Sequence, residues 1–304
     1  MDMKDANGKR AQDLTTDKQV LKTLTGLKDI ALFNAVKEGD LVGVNHWLQQ
    51  GADPNSMHEF GYKISCPLAF SKGTEPMWFE SCSYAQESTA LDLAIRELGC
   101  LHANTLSIVE TLLKNGANPN IVSDFQNPLL HETIVYYSKG FTNYEDHITA
   151  FTELTRLLCV YGADTAKRNI VYRNENGFTP LELAIAVADH EKVGILLQQG
   201  ADPNLKDSDG QTSLHWVAIY SNVYGDELHK YSFFSDISDK NVAYPKIFST
   251  LANVLISSGA DPTVVDNKGK TAASLVTNYS VKMALSAPSV EPLERQNEES
   301  CLLL

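Results

Sequence analysis

No stretch of this 304-residue sequence approaches the run of about 18 apolar residues that a bilayer-spanning helix needs, so any membrane contact is expected to be peripheral. Cysteine is scarce: Cys66, Cys82, Cys100, Cys159 and Cys301 make an odd count with no C-x-x-C pair, which suits a reduced intracellular setting better than a disulfide framework. Positive charge is in deficit, 25 Lys and Arg against 38 Asp and Glu, and the net charge of −13 repels phosphate backbones and excludes nucleic acid as an expected partner. The opening residues, MDMKDANGKRAQDLTTDK, are polar and mixed in charge, so no secretory leader is expected. Catalytic signatures are missing too. There is no G-x-S-x-G, no H-E-x-x-H, no Gly-rich phosphate loop ending in Lys-Ser/Thr, and no H-x-E with a paired C-x-x-C. Cys66, Cys82, His58 and His102 match no zinc spacing and no nucleophile–base arrangement, so they are read as reduced, packed side chains. The expectation is a chain that is not an enzyme and holds neither metal nor cofactor.

What is present is a repeated phrase. With 43% hydrophobic residues the chain has ample apolar surface to bury. WLQQGADPN ends at Asn55, LLKNGANPN at Asn120, LLCVYGADT at Thr165, LLQQGADPN at Asn204 and LISSGADPT at Thr263. Paired apolar residues close an amphipathic helix. Gly51, Gly116, Gly162, Gly200 and Gly259 then stand where the chain must take a positive φ to leave it. A second phrase, Gly177-Phe178-Thr179-Pro180-Leu181-Glu182-Leu183-Ala184, reads as a turn glycine, a Thr N-cap, Pro at the first helical position and a helix with one apolar face. Successive phrases recur every 33 residues where the spacing is clean.

This period and these motifs resemble the ankyrin-repeat family, and the resemblance covers about residues 29–286. It implies an all-α solenoid of about six helix-turn-helix units, with 1–28 as an N-terminal leader and 287–304 as a tail. The first unit runs from Asp29 to Asn55 and serves as the N-terminal cap. Later units open at Ser88-Thr89-Ala90, around Pro128-Leu129-Leu130-His131, at Thr179-Pro180, at Thr212-Ser213 and at Thr271-Ala272, the last being the C-terminal cap. His131 and His215 occupy the motif's histidine place, which implies a buried, turn-linking scaffold role.

Departures from the period are localised. Inserts fall near 56–86, 135–147 and 223–246, and these 68 residues hold 15 of the chain's 26 aromatic residues, far more than flexible spacers would. The first, with a break at Ser71-Lys72-Gly73 between apolar runs, is expected to form a long hairpin finger. Some rings serve to cover the inserts themselves. Others, with Phe60, Trp78, Phe79, Tyr231, Phe233 and Phe234 as candidates, are expected on a partner-binding face, together with Trp216. Lys167, Arg168 and Tyr172 form a local basic and aromatic exception in an acidic chain and are further candidates for meeting a partner.

The terminal segment APSVEPLERQNEESCLLL, 287–304, has no periodicity, and its last four residues resemble the CaaX prenylation box, with a final Leu favouring geranylgeranyl on Cys301. The resemblance implies a geranylgeranyltransferase I as a partner and a lipid-tethered, peripheral membrane location. Glu291, Glu294, Glu298 and Glu299 against Arg295 leave the tail acidic, which favours endomembranes over the strongly anionic plasma membrane. The same glutamates are similar to the C-terminal signal of type IV secretion substrates, many of them ankyrin effectors of intracellular bacterial pathogens. The expectation is therefore a non-enzymatic scaffold secreted into a host cell, holding a host protein and serving virulence. A soluble or eukaryotic ankyrin adaptor with an incidental CLLL is the alternative, and an enzyme built from the inserts is the remaining one.

Overall fold

Each expected helix-ending glycine adopts the left-handed conformation: φ is 80° at Gly51, 88° at Gly116, 90° at Gly162, 87° at Gly200 and 93° at Gly259. Around Gly116 the geometry is explicit. Its N–H donates to the Leu113 carbonyl at 3.1 Å and the Ala117 N–H to the Leu112 carbonyl at 3.0 Å, so the last helical acceptors are satisfied as the chain turns away. The other four glycines carry the same pair of bonds.

The computed structural model describes residues 18–66, 79–97, 104–122, 128–135, 144–169, 177–226 and 240–286; for 18–25, 59–66, 79–87, 96–97, 135, 144–148, 223–226 and 240–245 it describes the backbone only. The chain divides into two compact units, Met1–Asp164 and Thr165–Leu304.

In the first unit the elements are α1 (Lys18–Lys37), α2 (Leu41–Gln49), β1 (His58–Cys66), β2 (Phe79–Ser88), α3 (Ala90–Glu97), α4 (Thr105–Lys114), α5 (Leu129–Val135) and α6 (Tyr144–Val160). Helices pack in sequential pairs, and each pair stacks on the next, α1 on α3 and α3 on α5 in one layer, α2 on α4 and α4 on α6 in the other. Leu91, Leu93, Ile108, Leu112, Leu129, Ile134 and Leu154 fill the space between layers and are fully buried. In the second unit α7 (Pro180–Ala186), α8 (His190–Gln198), α9 (Ser213–Asp226), α10 (Lys240–Ser257), α11 (Ala272–Leu275) and α12 (Tyr279–Ser286) repeat the scheme.

Four helix boundaries differ from the sequence reading. α1 begins at Lys18, eleven residues ahead of Asp29, because Val20, Leu21, Leu24 and Leu27 continue the helical spacing into the supposed leader. α6 begins at Tyr144, absorbing the end of the second insert, with Glu145 and Asp146 in its first turn where the helix dipole favours acid. α9 runs to Asp226 and α10 starts at Lys240, so the third insert's flanks extend the helices on either side and 227–239 lie outside the described residues. The finger is present: β1 and β2 pair antiparallel from His58↔Ser88 to Cys66↔Phe79 with one irregularity between Ile64 and Cys66, and its expected break at Ser71-Lys72-Gly73 is outside the described residues.

Polar ties join successive turns. Asn55 donates from Nδ2 to the Gly116 carbonyl at 2.9 Å and accepts on Oδ1 from the Asn118 N–H at 2.7 Å. Asn120 does the same to Gly162 and Asp164, and Asn204 to Gly259 and Asp261. The equivalent position after Gly162 is Ala166, which has no amide with which to reach Gly200 and Asp202. A second tie comes from buried His215, whose Nδ1 accepts from the Thr212 N–H at 3.1 Å, leaving Nε2 to donate to the Lys270 carbonyl at 3.0 Å. The scaffold role implied for His215 is the one the structure gives it; His131 is fully buried on α5.

At the corresponding place on α7 stands Glu182, 1% exposed. It completes a capping box with Thr179 and accepts from both terminal nitrogens of Arg168, at 2.8 and 3.0 Å. Burial pushes its carboxyl above the ordinary value, opposed by the Thr179 N–H and by Arg168, while Asp207 adds to the push.

Asn120→Ala removes one rung, leaving the Gly162 carbonyl and the Asp164 N–H without that partner, and is expected to lower unfolding free energy by about 1–2 kcal/mol in urea titrations, whereas Ala166→Asn, which supplies the missing rung, raises it by up to about 1 kcal/mol. Arg168→Ala strands a buried carboxylate and is expected to cost about 2–3 kcal/mol at pH 7, discounted from a fully buried pair because the Arg168 side chain is 23% exposed. In that variant the folded pKa of Glu182 rises further above its unfolded value, so the stability it contributes is present at low pH and lost as pH rises through the folded pKa. The deficit relative to wild type therefore shrinks on going from pH 7 to about pH 5, which urea melts at the two pH values measure.

Candidate protein-binding surface

Helix α9 owes its start to Thr212, whose hydroxyl lies 2.9 Å from His215 Nδ1, and its orientation to the burial of Leu214, Val217, Ala218 and Ser221 against its neighbours. Trp216, Ile219 and Tyr220 are half-exposed at i, i+3 and i+4, so they share one flank of the helix. Trp216 stacks on Tyr220 with ring centroids 5.7 Å apart and an interplanar angle of 29°. On its other side it meets Phe178 edge-on at 5.0 Å and 69°. Phe178 is held there by the turn that precedes α7, where its N–H and carbonyl exchange hydrogen bonds with Asn169. The Trp216 indole Nε1 is buried and has no hydrogen-bond partner among the described residues. The arrangement is a pair of stacked rings with an aliphatic neighbour, locked from behind by a third ring and carrying an unused donor. It suits apolar contact with a partner, not bond-making chemistry.

Trp216 is the one sequence-derived aromatic candidate whose side chain the structure describes. Phe60 lies in β1 and Phe79 opens β2, with only their backbones described; Trp78, Tyr172, Tyr231, Phe233, Phe234 and Cys301 lie outside the described residues. Lys167 is half-buried beside Arg168. Arg168, a candidate for meeting a partner, is engaged by the buried Glu182 through both of its terminal nitrogens. Sequence reasoning missed Tyr220 and Phe178. Tyr220 was findable from its four-residue spacing to Trp216; Phe178 was not, since only the turn at Asn169 brings it under the indole.

Among the described residues no group of three or more His, Cys, Asp or Glu side chains is placed to hold a metal ion. The ring of His58 packs on Phe33 at 5.3 Å, and along the finger Cys82 pairs with Ile64 and Cys66 with Phe79, so the two cysteines are not opposite one another. Burial pushes the Cys159 thiol up to about 11, which keeps it protonated and unreactive at neutral pH. No helix among the described residues is long and apolar enough to cross a membrane.

Comparison with known proteins agrees with this architecture. A family model for ankyrin repeats, in three copies, matches residues 100–207. The chain is 25% identical over 191 residues to a putative ankyrin repeat protein of Acanthamoeba polyphaga mimivirus, covering 57% of this chain and 33% of that protein. It is 26% identical over 195 residues to the phosphocholine transferase AnkX of Legionella pneumophila, covering 56% of this chain and 19% of that one. The chain thus spans a third or less of the length of these curated relatives. Among solved structures, an ankyrin repeat domain from Acinetobacter baumannii superposes with a TM-score of 0.51 at 19% identity, covering 84% of this chain and 95% of that one. Helix pairs, left-handed glycine ends and structural likeness converge: the chain has the ankyrin-repeat fold, and residues 100–207 match the ankyrin-repeat family model.

Proposed function

We propose that the chain is a non-enzymatic scaffold that holds a host protein on the α9 flank, acting as a bacterial effector in a host cell and tethered to host endomembranes by a geranylgeranyl group on Cys301. The observation that carries the binding reading is the Trp216–Tyr220 stack, half-exposed on a rigid helix and braced by Phe178. Large rings held at low entropic cost are what interface hot spots are made of. The surrounding repeats supply rigidity.

For the tether, the support is the Cys301-Leu302-Leu303-Leu304 motif and the absence of basic companions beside it in the sequence. One prenyl chain without a second signal binds membranes only marginally and reversibly. An acidic flank further disfavours the plasma membrane. For the bacterial source and delivery by type IV secretion, the support is the glutamate-rich segment and the similarity to a Legionella pneumophila protein over part of its length.

Two outcomes are expected. In affinity capture from host lysate, Trp216→Ala with Tyr220→Ala should lose the partners that wild type retains, a hot-spot pair of this kind weakening binding by about 30-fold or more; an unchanged partner set, with the variant's melting temperature preserved, removes the α9 flank from the interface. On fractionating cells that express the chain, Cys301→Ser should shift it from the membrane pellet to the cytosol, and the mass of the C-terminal peptide should show the isoprenoid in wild type alone. Equal partition of the two forms ends the lipid reading and leaves the binding reading standing.

A further inference from the structure

The last helix of the second unit leaves an apolar stripe uncovered. α12 buries Val281 and Leu285 and packs on α10, while Tyr279 is 75% and Met283 54% exposed. With Lys282 and Ser286, also exposed, they fall at i, i+3, i+4 and i+7 and share one flank of the helix. A Tyr and a Met exposed side by side on one helix flank call for a cover.

Charge indicates what the cover is. In a chain of net charge −13, residues 263–286 carry Lys268, Lys270 and Lys282, all exposed, against one carboxylate, Asp266. That carboxylate is occupied, for its Oδ1 accepts from the backbone N–H groups of Lys268 and Lys270 at 2.9 and 2.8 Å. Immediately after α12 the sequence supplies the complement: 287–304 contains Glu291, Glu294, Glu298 and Glu299 against Arg295, with Val290 and Leu293 among them. We propose that the Tyr279–Lys282–Met283 flank is the docking surface for the acidic segment 287–304 of the same chain.

Tethering favours this occupant over others. A segment joined directly to the helix it binds meets it at an effective concentration on the order of millimolar, and closing so short a loop costs little entropy. A second copy related by a two-fold axis would set Lys282 near its own image, a like-charge contact. The docking does not depend on lipid attached to Cys301. Where that attachment occurs, docking holds the cysteine back near the repeats, and release of the segment becomes the step that presents it.

Hydrogen exchange on the full, unlipidated chain, read on peptides from 287–304, tests the proposal. In wild type these amides should exchange about tenfold more slowly than in a synthetic 287–304 peptide. Lys282→Glu, a substitution at an exposed position, and Tyr279→Ser with Met283→Ser should each restore the free-peptide rate, and salt at about 1 M should do so in part. Retained protection of the Val281–Leu285 amides shows that α12 remains folded in each variant; if the double variant loses it, Lys282→Glu alone decides. Free-peptide rates in wild type overturn the proposal, as does protection that ignores Lys282→Glu. Protection that grows with protein concentration also overturns it, assigning the flank to a second copy.

Discussion

Everything in this fold depends on the chain leaving each second helix through a left-handed glycine. A residue with a Cβ in that conformation is strained. With glycine in place, the two bonds back into the helix let the following Ala-Asp-Pro or Ala-Asn-Pro turn away from the helix it has left. The small residue after each glycine is buried in every copy, at Ala52, Ala117, Ala163, Ala201 and Ala260. Only then does an asparagine four residues beyond the glycine come within reach of the next turn, 42 to 63 residues further along the chain. The apolar layers between helices supply most of the stabilisation, but their spacing is inherited from this turn.

That hierarchy explains what the sequence discloses. Helix ends were legible because a glycine flanked by apolar pairs and turn residues is a local signal, and the Thr179-Pro180 start was legible for the same reason. The asparagine rungs were not, since a rung needs its distant partner to be recognised. The engagement of Arg168 was hidden likewise: three clustered basic and aromatic letters suggest a surface, and only the fold reveals the carboxylate fourteen residues on that holds it. The inserts were visible as lost register, yet their lengths were overstated because helices α6, α9 and α10 extend into them. A helix lengthened at a free end changes no periodic signal inside the repeat.

The α9 flank joins the two kinds of information. Trp216 stood out as a large ring beside a motif histidine, while its working environment is assembled from elements before and within the helix. The histidine that starts α9 also ties it forward to Lys270, so the platform for the rings is fixed at its base by a hydrogen bond to another repeat. The proposed recognition surface and the scaffold are therefore two faces of one helix, and a substitution on the buried face would disturb the exposed one through the helix itself.

Glu182 changes the seam between its own repeat and the next. Between the repeat of α7 and α8 and the one that follows, the asparagine rung is made by Asn204. The histidine tie is unmade, because Glu182, which stands at the histidine's place, turns back to Arg168 in its own turn. Packing of α7 on α9 and α8 on α10, with Phe178 against Trp216, shares with that rung the holding of the seam. In a linear array stability is close to a sum over neighbouring interfaces, and one that lacks a directional tie is where cooperativity breaks first. The ring cluster read here as a binding surface straddles that junction, so whatever grips it clamps the two repeats together and makes the array unfold as a larger cooperative block.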